Sequence, residues 1–363
     1  MCNLETKRYL PKMPGASGTA ELTSQSHREK SERSRILLIL GYGLAIVCLI
    51  WVLHDFHIVR ALHDMANANW KWVLLGMAFD VLSYAVQALR WKFLLSPFGK
   101  VRTRNATRSV FSGLFANLIL PLRPGEFLRS YLLSNSEGIS LGRVLGSVGV
   151  ERFVDLVIAT ASLAFVSLFV QLPRRFERTA DILGAIILIL VSIVVVLVFY
   201  LEVKLGRTPE AHIGHRQLPG KMMSALLDLH AMGTAPSFYG AVFFSLLMPF
   251  CQVLALWAMM RSYGLPLSFM AAVVVLLVIN LGVSLPNAPA NVGSYQLFCV
   301  LGLSVFDVEK TTATGFSIFA FIALTLPFVF LGFAALLSSG LSLRSMREVT
   351  RLPRHPSEAS ASD

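Results

Sequence analysis

Long apolar stretches alternate with short polar connectors along most of the chain. The apolar stretches cover residues 36–53, 70–89, 145–172, 182–201, 238–260, 267–285 and 311–337. About 20 such residues let one helix cross the hydrocarbon core of a bilayer. Because that core offers no water, backbone amides must pair internally, which favours helices. The pattern therefore predicts an all-α, polytopic transmembrane helical bundle of about six to eight spans.

Two further apolar segments are interrupted by proline and glycine. The first, 109–122, rises only about 21 Å as a helix, which is less than the roughly 30 Å thickness of an apolar core. The second covers 286–306. Both are predicted to be re-entrant or broken helices, because proline removes an amide donor and stops a helix. The helix-breaking residues are Pro121, Pro124, Gly125, Pro286, Pro289 and Gly293.

The distribution of basic residues predicts the topology. They crowd 1–35 and 341–363, which we expect to be cytoplasmic tails, the first of them disordered, on either side of a membrane domain at 36–340. The polar segment 202–236 is predicted to be an internal cytoplasmic loop. A basic connector on the same side holds Arg90, Lys92, Lys100, Arg102, Arg104 and Arg108. Two cytoplasmic termini require an even number of crossings. The membrane is expected to be a cell membrane of the bacterial inner-membrane type.

Composition agrees with a membrane protein and narrows the choice of partners. Hydrophobic residues make up 55% of the chain and charged residues 15%, a balance that excludes an ordinary soluble domain. The net charge of +11 would suit nucleic acid, but the basic residues collect where they meet anionic lipid headgroups. No nucleic-acid partner is expected. Neither the four cysteines nor His54, His57 and His63 have the spacing of a metal site, so no metal or cofactor is predicted.

Ionisable side chains lie at the first interruption and inside the next long stretch. Such groups cost a few kcal/mol each at membrane depth unless they are paired or hydrated. We expect them to face the interior, where arginine would bind a lipid phosphate. An internal salt-bridge network between two helices is the alternative. Asp80, alone in the second span, suits a polar contact between helices equally well. The candidate substrate-binding residues here are Arg123, Glu126, Arg129, Glu151, Arg152 and Asp155.

The second interruption repeats the first in outline. Each has an asparagine near the end of an apolar run, then a Leu-Pro pair, then a further Pro and Gly break. Paired interruptions of this kind are typical of transporters built from inverted repeats, with the binding site between the broken helices. Chance is the alternative, because such breaks are common at the ends of membrane helices. The remaining candidate substrate-binding residues are Asn117, Asn280, Asn287, Asn291 and Gln296.

Three motifs together resemble the flippase-like family that includes the membrane domain of lysylphosphatidylglycerol synthases. They are Asn-x-x-x-Pro-x-Arg-x-Gly-Glu at 117–126, Glu-Arg-x-x-Asp at 151–155 and Pro-x-x-Pro-x-x-x-Gly at 286–293. The resemblance covers nearly the whole membrane part of the chain. It implies a domain that moves a lipid between leaflets, through two re-entrant elements and a cavity lined by the six ionisable candidates.

The chain departs from this family at two points. The second motif commonly has two glycines where Ala290 and Asn291 stand, and an acid where Gln296 stands. If that acid reads a cationic headgroup in the family, a different lipid is expected here. No aminoacyl-transfer domain follows the last span before Asp363, so synthesis of a lysyl lipid is not expected.

Lipid translocation is the leading functional hypothesis. A phospholipid or lipid-linked headgroup would pass between leaflets, with bilayer lipids and a lipid-synthesising enzyme as partners. An integral-membrane glycosyl- or phosphotransferase and an accessory subunit of envelope-lipid synthesis are the alternatives. Catalysis is not expected, because the sequence shows no metal-binding acidic motif, no nucleophile with its base and no glycine-rich phosphate loop. Leaflet exchange or product formation by the purified protein would separate these hypotheses.

Overall fold

The computed structural model describes residues 42–54, 57–120, 124–169, 235–283 and 289–339, with isolated helical positions at 185, 189, 192, 228 and 231–233. The predicted tails at 1–35 and 341–363 lie outside these residues. So do most of the predicted span at 182–201 and of the predicted loop at 202–236. Four of the residues singled out above also lie outside: Pro121, Arg123, Pro286 and Asn287.

Helices make up the regular structure of the described residues, which contain no strand. The all-α prediction is therefore confirmed. The helices are α1 (Tyr42–Leu53), α2 (Ile58–Ala66), α3 (Trp70–Leu95), α4 (Thr103–Ile119), α5 (Gly125–Glu137), α6 (Leu141–Phe169), α7 (Ser237–Ser262), α8 (Phe269–Val283), α9 (Ser294–Ser304) and α10 (Lys310–Ser338). Two 3₁₀ turns, Ser96–Phe98 and Pro289–Asn291, complete these elements.

Three helical stretches are long and apolar enough to cross a membrane: Trp70–Phe98, Ser237–Ser262 and Lys310–Ser338. Helix α6 has 29 residues, a sufficient length, but it carries several charged side chains. The chain is an integral membrane protein with a helical bundle, as predicted. The total number of crossings stays a prediction, because parts of the predicted spans 36–53 and 182–201 lie outside the described residues.

Helices α3 and α7 run antiparallel and form the centre of the bundle. The backbone N–H of Asn69, which precedes α3, donates to the carbonyl oxygen of Ser262 at the end of α7 over 2.9 Å. Gly76 permits their close approach, because a Cβ atom there would lie 2.8 Å from the Met259 side chain and 3.0 Å from the Ala255 carbonyl oxygen. The pair formed by α3 and α7 packs against both broken helices.

Helices α4 and α5 form the first hairpin, called hairpin A (103–137). The chain leaves helical geometry at Leu120 and resumes it at Gly125, which confirms a broken helix near the predicted position. Its first arm begins at Thr103, six residues earlier than predicted, so the arm is longer than the apolar run alone. The two arms touch at their glycines: a Cβ atom at Gly113 would lie 2.6 Å from the Gly125 carbonyl oxygen.

Helices α8 and α9 form the second hairpin, called hairpin B (269–304). The predicted interruption at 286–306 is too long, because α9 already begins at Ser294. Glycines again allow the two arms to pack: a Cβ atom at Gly302 would lie 3.1 Å from Val275 Cα, and one at Gly282 would collide with the Phe298 ring.

The two hairpins enter the bundle from opposite ends of α3. The open end of hairpin A packs around the end of α3, in an apolar cluster that contains Leu95, Val101 and Ile139. The open end of hairpin B packs around the start of α3, in another cluster that contains Ala68 and Leu303. The 3₁₀ turn at the tip of hairpin B contacts α4. Hairpins that enter from opposite ends and meet where the 3₁₀ turn of one contacts an arm of the other have the geometry that an inverted repeat would produce.

Helix α10 connects the two ends of the bundle. At its start, the Lys310 ammonium donates to the His54 carbonyl oxygen over 3.2 Å, and the Thr314 hydroxyl to the Val52 carbonyl oxygen over 3.4 Å. Near its other end, Gly332 lies against α4, since a Cβ atom there would be 2.6 Å from Phe115 Cβ. The helix therefore packs on the end of α1 and on hairpin A.

Candidate functional site

The centre of the charged cluster is Arg90, which the sequence predicts to lie in the basic cytoplasmic connector. That placement is wrong, because α3 continues to Leu95 and includes Arg90 as a fully buried residue. Its Nε lies 3.4 Å from Glu151 Oε1, and its Nη2 lies 3.5 Å from Asp155 Oδ2. A second contact joins Arg90 Nη1 to the Asp155 carboxylate. Arg90 thus connects α3 to α6.

Glu151 bridges two arginines from different helices. Its Oε1 faces Arg90, while its Oε2 accepts a hydrogen bond from Arg129 Nη2 at 2.6 Å. The Glu151 side chain is 1% exposed and the Arg129 side chain 5%. One carboxylate therefore holds α3, α5 and α6 together at a point closed to solvent.

Aromatic and hydroxyl groups hold this buried part in position. The Arg129 guanidinium carbon lies 4.8 Å from the centre of the Trp91 ring, which places a cation over a π face. Trp91 Nε1 in turn donates to the Ser147 hydroxyl over 2.8 Å. Arg129 Nε has no hydrogen-bond partner among the described residues. We call Arg90, Arg129 and Glu151 the inner tier.

Three further charged side chains form an accessible outer tier: Glu126, Arg152 and Asp155. Arg152 pairs with Glu126 of α5, and its Nη1 lies 3.8 Å from Asp155 Oδ2 on its own helix. The side chains are 38% exposed for Glu126, 55% for Arg152 and 34% for Asp155. This exposure separates the two tiers: the inner one is sealed by protein, and the outer one can be reached from outside it.

The α6 residues of the cluster lie near the middle of that helix. Asp155 stands midway along Leu141–Phe169, about 21 Å from either end at 1.5 Å per residue. An isolated ion near the middle of a membrane helix costs roughly 3 kcal/mol or more. Pairing three arginines with three carboxylates offsets much of this cost. The sequence candidates Glu126, Arg129, Glu151, Arg152 and Asp155 are therefore brought into one network, with Arg90 added.

Asn117 supports the tip of hairpin A. Its Oδ1 accepts a hydrogen bond from the backbone N–H of Gly125 at 2.7 Å, which satisfies a donor freed by the break. A Cβ atom at Gly125 would collide with the Gly113 carbonyl oxygen and with the Asn117 side chain. The separation of Asn117 and Gly125 in the sequence is thus explained by their contact between the two arms of hairpin A. Pro124 precedes α5, where a missing N–H does no harm.

The tip of hairpin B has a parallel arrangement. Gln296 Oε1 accepts a hydrogen bond from the Gly293 backbone N–H at 2.7 Å. Ala290 has φ 57° and Asn291 φ 59°, in the left-handed region that favours glycine. These are the two positions where the related family commonly has glycine. The Asn291 side-chain oxygen is buried and has no hydrogen-bond partner among the described residues.

The remaining candidates have simpler placements. Asn280 is exposed on α8, three residues before that helix ends at Val283. Pro289 starts the 3₁₀ turn. No group of three His, Cys, Asp or Glu side chains in the described part of the chain is arranged to hold a metal ion. His57 and His63 instead line a surface opening with Glu309.

Sequence reasoning missed Arg90, although a signal was present. The apolar run does not stop at Leu89, because Trp91, Phe93, Leu94 and Leu95 continue it. An arginine followed by such apolar residues is better interpreted as part of the same helix. Only its partners on α6, 61 and 65 residues away, show why it is tolerated there.

Comparisons with known proteins agree with this architecture. Residues 38–332 match the family described as the lysylphosphatidylglycerol synthase TM region. A UPF0104 membrane protein of Methanothermobacter thermautotrophicus is 26% identical over 288 residues, covering 74% of this chain and 83% of that protein. A UPF0104 membrane protein of Methanocaldococcus jannaschii is 24% identical over 325 residues, covering 85% of this chain and 95% of that protein. The chain therefore belongs to the lysylphosphatidylglycerol synthase transmembrane-region family.

Proposed function

We propose that the protein is a lipid translocator that carries a phospholipid or lipid-linked headgroup between the two leaflets. The observation that supports this most directly is the Arg152–Glu126 ion pair, which is accessible yet lies beside the midpoint of α6. A pair that served structure alone would be expected to be sealed like Arg90 and Glu151. An accessible arginine at this depth is suited to receive a phosphate that has left the interface.

The inner tier would keep this receiving arginine in place. Glu151 and Asp155 lie on the same helix as Arg152, and Arg90 fixes both of them to α3. When a phosphate displaces Glu126 from Arg152, the inner pairs need not change. Glu126 can then separate from Arg152 while the inner pairs keep α3, α5 and α6 joined. The acyl or isoprenoid tails would remain in the bilayer throughout.

The proposed orientation follows from the open end of hairpin A. Lys100, Arg102 and Arg104 are exposed at this end. Such a concentration of positive charge favours the cytoplasmic face. We infer a cell membrane of the bacterial inner-membrane type, with both termini in the cytoplasm, and a lipid-synthesising enzyme as the partner that delivers the lipid. A translocator needs no catalytic nucleophile, so we infer no catalytic step.

Reconstitution tests the proposal, with a control on the same helix. Purified protein in liposomes that contain a lipid fluorescent on its acyl chain should expose inner-leaflet label to an external quencher. We expect Arg152→Gln to slow this exchange about tenfold or more, because a charge-assisted hydrogen bond contributes roughly 1.5–3 kcal/mol. Arg143→Gln is the matched control: Arg143 also lies on α6, is also exposed and pairs with Asp228 at 3.1 Å.

Two results would contradict the proposal. Equal exchange rates for the Arg152 and Arg143 variants would remove Arg152 from the transport path. Product formation from a lipid-linked sugar, without any leaflet exchange, would favour a membrane transferase instead.

A further inference from the structure

We propose that the transported headgroup is zwitterionic, with a phosphate and a primary ammonium group. This inference rests on the proposed function and adds the substrate class to it. The observation behind it is the pairing within the outer tier: Arg152 is the counter-ion of the accessible Glu126, whereas Asp155, which also lies near Arg152, is held by Arg90 as well.

The inner tier is already committed and cannot contribute a further positive charge. Arg90 is bound by both Glu151 and Asp155, and Arg129 is bound by Glu151 and packed on Trp91. Both arginines are sealed from the outside. A headgroup that reaches the cluster therefore meets the outer tier, where Arg152 is the counter-ion of Glu126 among the described residues.

A phosphate that binds Arg152 takes it away from Glu126. Glu126 has no other ion pair among the described residues, so it would be left as a lone anion at membrane depth, which is costly. A headgroup that also carries an ammonium removes this problem, because its N–H donors replace the guanidinium at Glu126. Charge is then balanced before and after binding, with each carboxylate still facing a cation.

Other headgroups fit less well for identifiable reasons. A phosphoglycerol headgroup adds a negative charge and offers no cation to Glu126. A phosphocholine headgroup has a cation, but its quaternary nitrogen has no N–H to donate to a carboxylate. A ligand with both signs is therefore the best match.

The experiment compares three lipids that differ in their headgroups. Liposomes containing the full chain receive phosphoethanolamine, phosphoglycerol or phosphocholine lipids with the same fluorescent acyl chain. We expect wild-type protein to exchange the phosphoethanolamine lipid at least about tenfold faster than the phosphoglycerol lipid. This wild-type comparison needs no variant, so it does not depend on a mutant folding.

A variant that removes one negative charge then tests whether Glu126 is the carboxylate that recognises the ammonium group. Glu126→Gln keeps the size of the side chain and removes its charge, so the preference for phosphoethanolamine over phosphoglycerol should fall several-fold. Glu137→Gln, at the other end of α5, is the control and should keep the wild-type preference. Asp155 is less suitable for this test because it also binds Arg90.

The outcomes separate this inference from the proposed function. Phosphoglycerol exchange as fast as phosphoethanolamine exchange in wild-type protein would overturn the zwitterionic substrate and leave translocation intact. An unchanged preference in Glu126→Gln would also overturn it. Absence of exchange for all three lipids would overturn the proposed function, and this inference with it.

Discussion

Hairpins A and B share a backbone design but differ in chemistry. In each, two short helices pack through glycines, and a side-chain amide accepts the N–H of a glycine at the tip, from Gly125 to Asn117 and from Gly293 to Gln296. Hairpin A nevertheless carries several charged residues, whereas the segment 269–304 contains none. The amide-capped break is therefore a structural device common to both hairpins.

The difference shows where a charged site can form. A broken helix frees backbone groups, and both hairpins satisfy one of them internally. A charged site needs counter-charges from neighbouring helices, and hairpin A obtains them from Arg90 on α3 and Glu151 on α6. Hairpin B packs instead in a large apolar cluster with α7 and α10. This contrast supports placing the proposed headgroup site beside hairpin A.

The largest expected effect is the loss of Glu151, which would remove the ion pairs that join α5 of hairpin A to α3 and α6. Glu151→Ala leaves Arg90 with Asp155 alone and Arg129 without a counter-ion in a sealed site. Removing one partner from a buried ion pair costs about 3–5 kcal/mol. Gln296→Ala, which removes the corresponding cap in hairpin B, should cost only about 1–2 kcal/mol. Thermal unfolding in detergent would measure both.

Similar unfolding midpoints for the two variants would contradict the contrast between the hairpins. Such a result would mean that the inner tier adds no more stability than a single neutral hydrogen bond.

A smaller effect is expected from adding one methyl group at each glycine contact. Gly125→Ala would press on the Gly113 backbone and on Asn117, neither of which can easily move, so about 3 kcal/mol should be lost. Gly282→Ala would place an atom against Phe298 Cγ, a clash that only a change of the Phe298 χ1 angle can relieve, so about 2 kcal/mol should be lost. Unfolding in detergent would give both values. A greater loss of stability in Gly282→Ala than in Gly125→Ala would contradict the prediction that the glycine contact of hairpin A is the more rigid one.

The smallest expected effect is a gain in stability at the tip of hairpin B. Ala290 has a left-handed backbone that costs an L-residue about 1–2 kcal/mol. Ala290→Gly should remove this strain, partly offset by the greater freedom of glycine in the unfolded chain, for a net gain of about 0.5 kcal/mol. A small upward shift of the unfolding midpoint is expected. A decrease would mean that the methyl group of Ala290 makes packing contacts that outweigh the strain.

Much of hairpin A could be predicted from the sequence, because its signals are local. Pro124 and Gly125 stop a helix wherever they occur in the chain, and three-residue spacing puts Glu126 and Arg129 on one helical face. The role of Arg90 could not be predicted in this way. A cation at the end of an apolar run has the same local pattern whether it points to water or to a buried carboxylate 61 residues later.

The sequence by itself determined that the chain forms membrane helices, where two of them break, and which ionisable residues enter the membrane. These properties depend on the apolar length and backbone chemistry of short segments. The tertiary structure decided which charges are sealed and which are accessible, as in Glu151 against Arg152 on adjacent positions of α6. Burial depends on the helices that pack against each face, so it is established only when distant segments meet.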